Sequence, residues 1–163
     1  MKFALDTNCF IDAFNIRVSS HTALQSIFVE YNRNRVELYV SQHTLDELAK
    51  KPDRALDLAK SIPVLPYWPI GKIGDLVGTI GQMTGTFGDM RRNEAIQKEL
   101  EALAKSGNDI RDRGALVDAL HASMDAFVTS DRQLVGSGPA DRIFNRLQIR
   151  VINPVDAVKL LHN

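Results

Sequence analysis

Short apolar runs of strand length alternate along the chain with longer segments whose apolar residues recur every three or four positions. That alternation is the pattern of a parallel sheet covered by helices on both faces. Strands are expected at roughly 2–5, 36–40, 125–129 and 148–152. Between the first two, Ala23, Leu24, Ile27, Phe28 and Tyr31 make one face of a helix near 20–32, with Ser19 or Ser20 placed to cap it. Ser41 is expected to cap a short helix carrying Leu45 and Leu48, and Pro52 to stand in the first turn of the next. Pro63, Pro66 and Pro69 then break the pattern. Helix resumes from about Arg91 to Ser106, stopped by Gly107, and another is expected over about 110–123. Pro139 and Pro154 each suit the first turn of a helix, the second with Asn153 as its cap.

Two of the strand-like runs end in polar tags. Lys2–Leu5 leads into Asp6-Thr7-Asn8, and Ala126–Val128 leads into Thr129-Ser130-Asp131. In an open α/β sheet ligands sit outside the carboxyl ends of the strands, so acids just past two such strands can meet there. Glu47, one or two turns into the helix after the second strand, belongs to the same rim. Asp112 extends the stripe of Ala115, Leu116, Ala119, Leu120 and Ser123 toward the helix N-terminus and is expected to point inward at that rim. Asp118, about 9 Å further along the axis, is expected as a surface acid, and Asp109 as an acid favouring the helix N-terminus through the dipole.

Carboxylates gathered without cations repel one another and raise their own pKa values, a conflict that a hard divalent cation resolves. Mg²⁺ and Mn²⁺ take oxygen ligands and bind through a few carboxylates plus substrate phosphate. A zinc site is not expected, because His21, His43, His121 and His162 lack ligand spacing and Cys9 is the lone cysteine. Each His reads as surface or satisfied packing, and Cys9 as a small buried hydrophobe.

Composition narrows the class. The 163 residues are a one-domain length, 44% are hydrophobic, and no linker-like boundary divides them, so one domain over 1–163 is expected. Lys plus Arg number 20, as do Asp plus Glu, so any nucleic-acid contact must come from a local basic patch. Asp6, Asn8 and Asp12 interrupt the first apolar stretch, so no signal peptide is expected, and no run of about 18 apolar residues occurs in the sequence. A cytoplasmic protein with no membrane partner is expected.

The stretches Phe3-Ala4-Leu5-Asp6-Thr7-Asn8 with Phe10-Ile11-Asp12, Val40-Ser41 through Thr44-Leu45-Asp46-Glu47-Leu48, and Asp125-Ala126-Phe127-Val128-Thr129-Ser130-Asp131 together resemble the PIN-domain family. That family includes the toxin ribonucleases of bacterial toxin–antitoxin pairs. The resemblance implies a three-layer α/β/α fold with a central parallel sheet, an acidic Mg²⁺ or Mn²⁺ site, and metal-dependent cleavage of RNA that releases a 3′-hydroxyl. Carried over by position, the four acids are Asp6, Glu47, Asp112 and Asp131, with Asp6 and Asp131 as principal ligands. Asn8 and Thr129 match polar positions that orient the acids or a water. The family also implies an antitoxin partner. Arg132, beside Asp131, is the preferred contact to substrate; Arg111, Arg113, Arg142, Arg146 and Arg150 add local positive charge.

One segment departs from short members of that family. Over about 69–90, Gly74, Gly78, Gly81, Gly85 and Gly88 recur in a seven-residue repeat, flanked by Leu76, Ile80, Met83 and Phe87. As a helix it would present a smooth face for self-association or gating of substrate, each interior Gly costing about 1 kcal/mol against Ala. A glycine-rich loop over the acidic edge is the other reading. Trp68-Pro69-Ile70-Gly71-Lys72 lacks the earlier Gly and following Ser or Thr of a P-loop. Two further functions compete with nuclease: a scaffold that binds RNA or a protein without cutting, and a phosphoacceptor or phosphatase-type pocket, which would need a paired downstream Asp or a positioned Lys.

Overall fold

The structure, a computed structural model, describes residues 1–66, 114–136, 140–141, 143–145 and 148–162. Asp112, the glycine repeat over 69–90, the helix expected at 91–106, Pro139, Arg111, Arg113, Arg142 and Arg146 lie outside them.

Four strands form one parallel sheet: β1 (Lys2–Leu5), β2 (Glu37–Val40), β3 (Ala126–Val128) and β4 (Arg150–Ile152), in the order β2-β1-β3-β4. Seven described helices connect them: α1 (Thr7–Asp12), α2 (His21–Asn32), α3 (Gln42–Leu48), α4 (Arg54–Lys60), α5 (Gly114–His121), α6 (Arg132–Val135) and α7 (Pro154–His162). The expected α/β class, parallel sheet and flanking helix layers are all present.

Strand side chains alternate between two cores, as the pleat requires. Phe3, Leu5, Leu38, Val40, Ala126 and Val128 face Leu24, Ile27 and Phe28 of α2 and Ala157 of α7. On the other side, Ala4, Phe127 and Val151 face Leu116, Ala119 and Leu120 of α5, with Leu134 of α6. Cys9 is fully buried in the first core, its Sγ donating to the Val128 carbonyl at 3.2 Å.

Helix ends explain why the strands start where they do. α2 and α5 each close on a left-handed residue, Asn34 (φ 57°) and Ser123 (φ 53°). Around Asn34 the amides of residues 34 and 35 reach back to the Tyr31 and Glu30 carbonyls; around Ser123 those of 123 and 124 reach Leu120 and Ala119. Both are the paired bonds of a Schellman stop, which turns the chain toward the next strand within a few residues. Gln148 (φ 59°) makes a comparable reversal, so β4 begins at Arg150 rather than at 148.

Ser41 caps α3 as expected, its Oγ accepting from the Thr44 amide at 3.0 Å. Asn153 caps α7 by accepting from the Asp156 amide at 2.9 Å. Two local expectations fail. Asp53 caps α4 through the Ala55 amide at 2.8 Å, leaving Pro52 outside the helix, because a carboxylate acceptor satisfies an amide that proline cannot. Ser20 holds the N-cap position of α2 without capping it; its hydroxyl donates to Asp12 Oδ2 at 2.9 Å instead.

Gly114, at the start of α5, packs against α3. A Cβ there would stand 2.5 Å from Cδ2 of His43, with two further ring atoms at 2.6 Å. Gly114→Ala is therefore expected to push the imidazole aside, part α5 from α3 and lower stability by about 1–3 kcal/mol, the usual cost of overpacking. A denaturant midpoint unchanged from wild type would show that the ring yields freely.

Candidate functional site

The chain runs from β1 outward to β2 and later returns to β3 on the opposite side of β1. Connections therefore diverge beyond the carboxyl ends of β1 and β3, and that divergence opens a crevice. Asp6 and Thr129 are the first residues past those two ends. Backbone bonds hold both in register: the Asp6 amide donates to the Val128 carbonyl and the Thr129 amide to the Ile152 carbonyl, each at 3.0 Å.

Two threonine hydroxyls organise the acids. Thr129, fully buried, donates from Oγ1 to Asp6 Oδ2 at 2.6 Å and accepts from the Asp131 amide at 3.0 Å. One hydroxyl thus ties the acid after β1 to the acid after β3. Thr7, also buried, donates from Oγ1 to Glu47 Oε2 at 2.6 Å, across 40 residues of sequence. The remaining oxygens serve the helices: Asp6 Oδ1 accepts from the Thr7 amide at 2.8 Å, and Asp131 Oδ1 caps α6 through the Gln133 amide at 2.8 Å.

Burial pushes the Asp6 carboxyl above its ordinary range, and the charges of Glu47 and Asp131 push it the same way, against the hydrogen bonds from Thr129 and Thr7. Glu47 and Asp131 thus act on Asp6 as like charges in one electrostatic neighbourhood. The Cys9 thiol is driven well up, first by burial and then by the Asp6 charge, so it is no nucleophile. Burial lowers the pKa of His43, one turn before Glu47 on α3, against a smaller opposing effect of Asp46.

Asn8 and Arg132, two further expected site residues, are exposed, and among the described residues Arg132 makes no ion pair. Asp118, expected at the surface, is fully buried. The reason is that α5 is buried on every side from Gly114 to Leu120. Gly114-Ala115-Leu116-Val117 and Ala119-Leu120 leave no polar face, and a helix apolar all round is a buried one. That signal in the sequence points to the buried position. Thr7, which holds Glu47, is a residue that the strand-and-acid pattern does not single out, although a hydroxyl directly after the first acid is visible in it.

No family model matches the chain, and no curated protein does. A solved structure does. The crystal structure of VapBC2 from Rickettsia felis bound to a DNA fragment from their promoter is similar over 94% of this chain and 98% of that one, with 17% sequence identity and a TM-score of 0.49.

Among the described residues no three His, Cys, Asp or Glu side chains close on one point as a complete ligand set would. The donor chemistry nonetheless suits a hard cation. Three carboxylates supply only oxygen, Asp6 is pushed toward neutrality by burial and by the other two, and among the described residues no cation figures among the main influences on it. Each carboxylate oxygen already accepting one hydrogen bond keeps a second lone pair for a metal.

Proposed function

We propose that this protein is a Mg²⁺- or Mn²⁺-dependent ribonuclease that cuts phosphodiester bonds at the crevice between β1 and β3. The observation that carries this reading is the linked set Asp6–Thr129–Asp131, with Glu47 hung from Thr7, at the switch point of a parallel sheet. Asp6 and Asp131 would be the principal metal ligands, with Glu47 and Asp112 completing the shell. When bound, the dication supplies Lewis acidity toward a water and the scissile phosphate. The chain's own part is positional and electrostatic. The Thr129 hydrogen bond favours the ionised form of Asp6 against burial and links it to Asp131. Thr7 turns Glu47 toward the crevice although that side chain is otherwise exposed. Arg132, exposed and next to Asp131, would meet a substrate phosphate.

The setting we infer is a cytoplasmic toxin paired with an antitoxin, on the strength of the motif resemblance alone. The test is degradation of a labelled RNA by the purified protein with Mn²⁺, compared with Asp6→Asn. Cleavage that requires the metal and vanishes in the variant supports the reading. RNA bound but never cut would leave a non-catalytic binding module instead.

Thr7→Val separates positioning from ligation. It removes the donor that holds Glu47 and leaves every carboxylate in place, so Mn²⁺ affinity or cleavage should fall by about 10- to 100-fold, as for other groups that orient metal ligands. Thr7→Ser should restore most of it. Equal activity in Val and wild type would mean that Glu47 needs no such hold.

A further inference from the structure

Beside the acids lies a groove of about 870 Å³, bounded by the chain after α1, by Ser130 and the start of α6, and by the first turns of α7. Its size falls in the roughly 300–1,000 Å³ range of ligand sites. It adjoins the crevice directly, since Ser130 and Arg132 line it and flank Asp131. Three cations, Arg17, Arg132 and Lys159, converge on it against two carboxylates, Asp12 and Asp156.

The carboxylates are already engaged. Asp12 Oδ2 accepts from Ser20 Oγ at 2.9 Å, and Asp156 takes Lys159 Nζ at 2.7 Å and Asn153 Nδ2 at 2.8 Å. Arg17 and Arg132 are exposed, and neither guanidinium makes an ion pair among the described residues. The Ser130 hydroxyl is buried in the groove lining and has no hydrogen-bond partner among the described residues. The N-terminus of α7, nine residues long, opens at the same place and adds the positive end of its dipole. In a chain whose charges sum to zero, a concavity with two uncommitted guanidinium forks is a local anion site.

We propose that this groove holds the phosphodiester backbone of the RNA strand on one side of the bond to be cut. Arg17 and Lys159 are then substrate-binding residues alongside Arg132. This rests on the ribonuclease reading of the acids and extends it. The two guanidiniums grip phosphate oxygens, and Lys159 turns partly from Asp156 to the strand.

Binding is read apart from cleavage by placing the changes in Asp6→Asn protein and following fluorescence anisotropy of a short labelled single-stranded RNA. Arg17→Glu and Lys159→Glu should each weaken binding by about tenfold or more, and the salt dependence of binding should flatten by about one unit of slope for each phosphate no longer held. In the otherwise wild-type enzyme the same changes should raise KM more than they lower kcat. Arg33→Glu, at the opposite end of the sheet, should change neither. Arg17 lies on an exposed connection, so the melting temperature of Arg17→Glu should stay level and show that folding is not the cause. If both groove variants bind and cleave RNA like their parents, the groove assignment is wrong while the nuclease stands. If wild type neither binds nor cleaves RNA, both fall; if the groove variants keep full RNA binding but lose binding of a labelled acidic peptide, the groove assignment is overturned in favour of a protein ligand.

Discussion

Asp6→Asn is expected to eliminate metal-dependent cleavage and, in metal-free buffer, to raise the melting temperature above that of wild type. The two effects share one cause. Asp6 is partly buried and feels the charges of Glu47 and Asp131, so both burial and like charge act against its ionisation. Removing the charge relieves the folded protein and, on the proposed reading, would deprive a dication of one of its principal ligands. A lost metal ligand forfeits several kcal/mol of transition-state stabilisation, on the order of a thousandfold or more in rate. The carboxamide keeps an acceptor for the Thr7 amide, so the start of α1 survives.

The pH dependence has a definite sign. The folded carboxyl titrates above its ordinary value of 3.8, so the folded state binds its proton more tightly than the unfolded chain does. Wild type therefore loses stability as pH rises from 3.8 through the raised folded pKa, and an asparagine does not. The gap in melting temperature should open across that window, be complete above it, and close in acid. Melting curves of both proteins with EDTA over a pH series read this directly; a variant less stable than wild type at neutral pH would mean that Asp6 is a structural acid.

Phe10→Ala should be the most damaging change in the core. Phe10 is fully buried on α1, its ring tilted against Phe28 of α2 with centroids 6.3 Å apart. The helix that carries it starts at Asp6, so its packing anchors the site as well as the fold. Truncation of a buried Phe costs about 3–5 kcal/mol, a large share of the ~5–15 kcal/mol that holds a domain together. Chemical denaturation should show the midpoint falling by a corresponding amount; a loss under about 1 kcal/mol would mean that the cavity collapses at little cost.

Much of the scaffold is legible in the sequence because its strands are short apolar runs, several ending at an acid or a proline-led helix. Phe3 to Asp6 and Phe127 to Asp131 announce both the sheet and its rim. Features made by tertiary packing escape such a reading. Nothing local marks Thr7 as the partner of Glu47, since the two meet only when α1 and α3 pack. The burial of Asp118 goes with a helix buried on every side from Gly114 to Leu120, whereas the inward stripe that places the helix describes only one side. Arg17, Arg132 and Lys159 belong to three separate segments, and their convergence depends on how connections leave the sheet. Pro52 misleads because its fixed φ suits a first turn, whereas the neighbouring Asp53 offers the stronger cap.

The central claim is that Asp6 and Asp131, joined through Thr129, grip a hard dication. Crystals grown with Mn²⁺ and measured near its absorption edge test it most directly. An anomalous peak within about 2.0–2.3 Å of both carboxylates, lost in Asp6→Asn, is the predicted result. A map with no peak there at millimolar Mn²⁺, or with Arg132 folded across the two acids in its place, would contradict it.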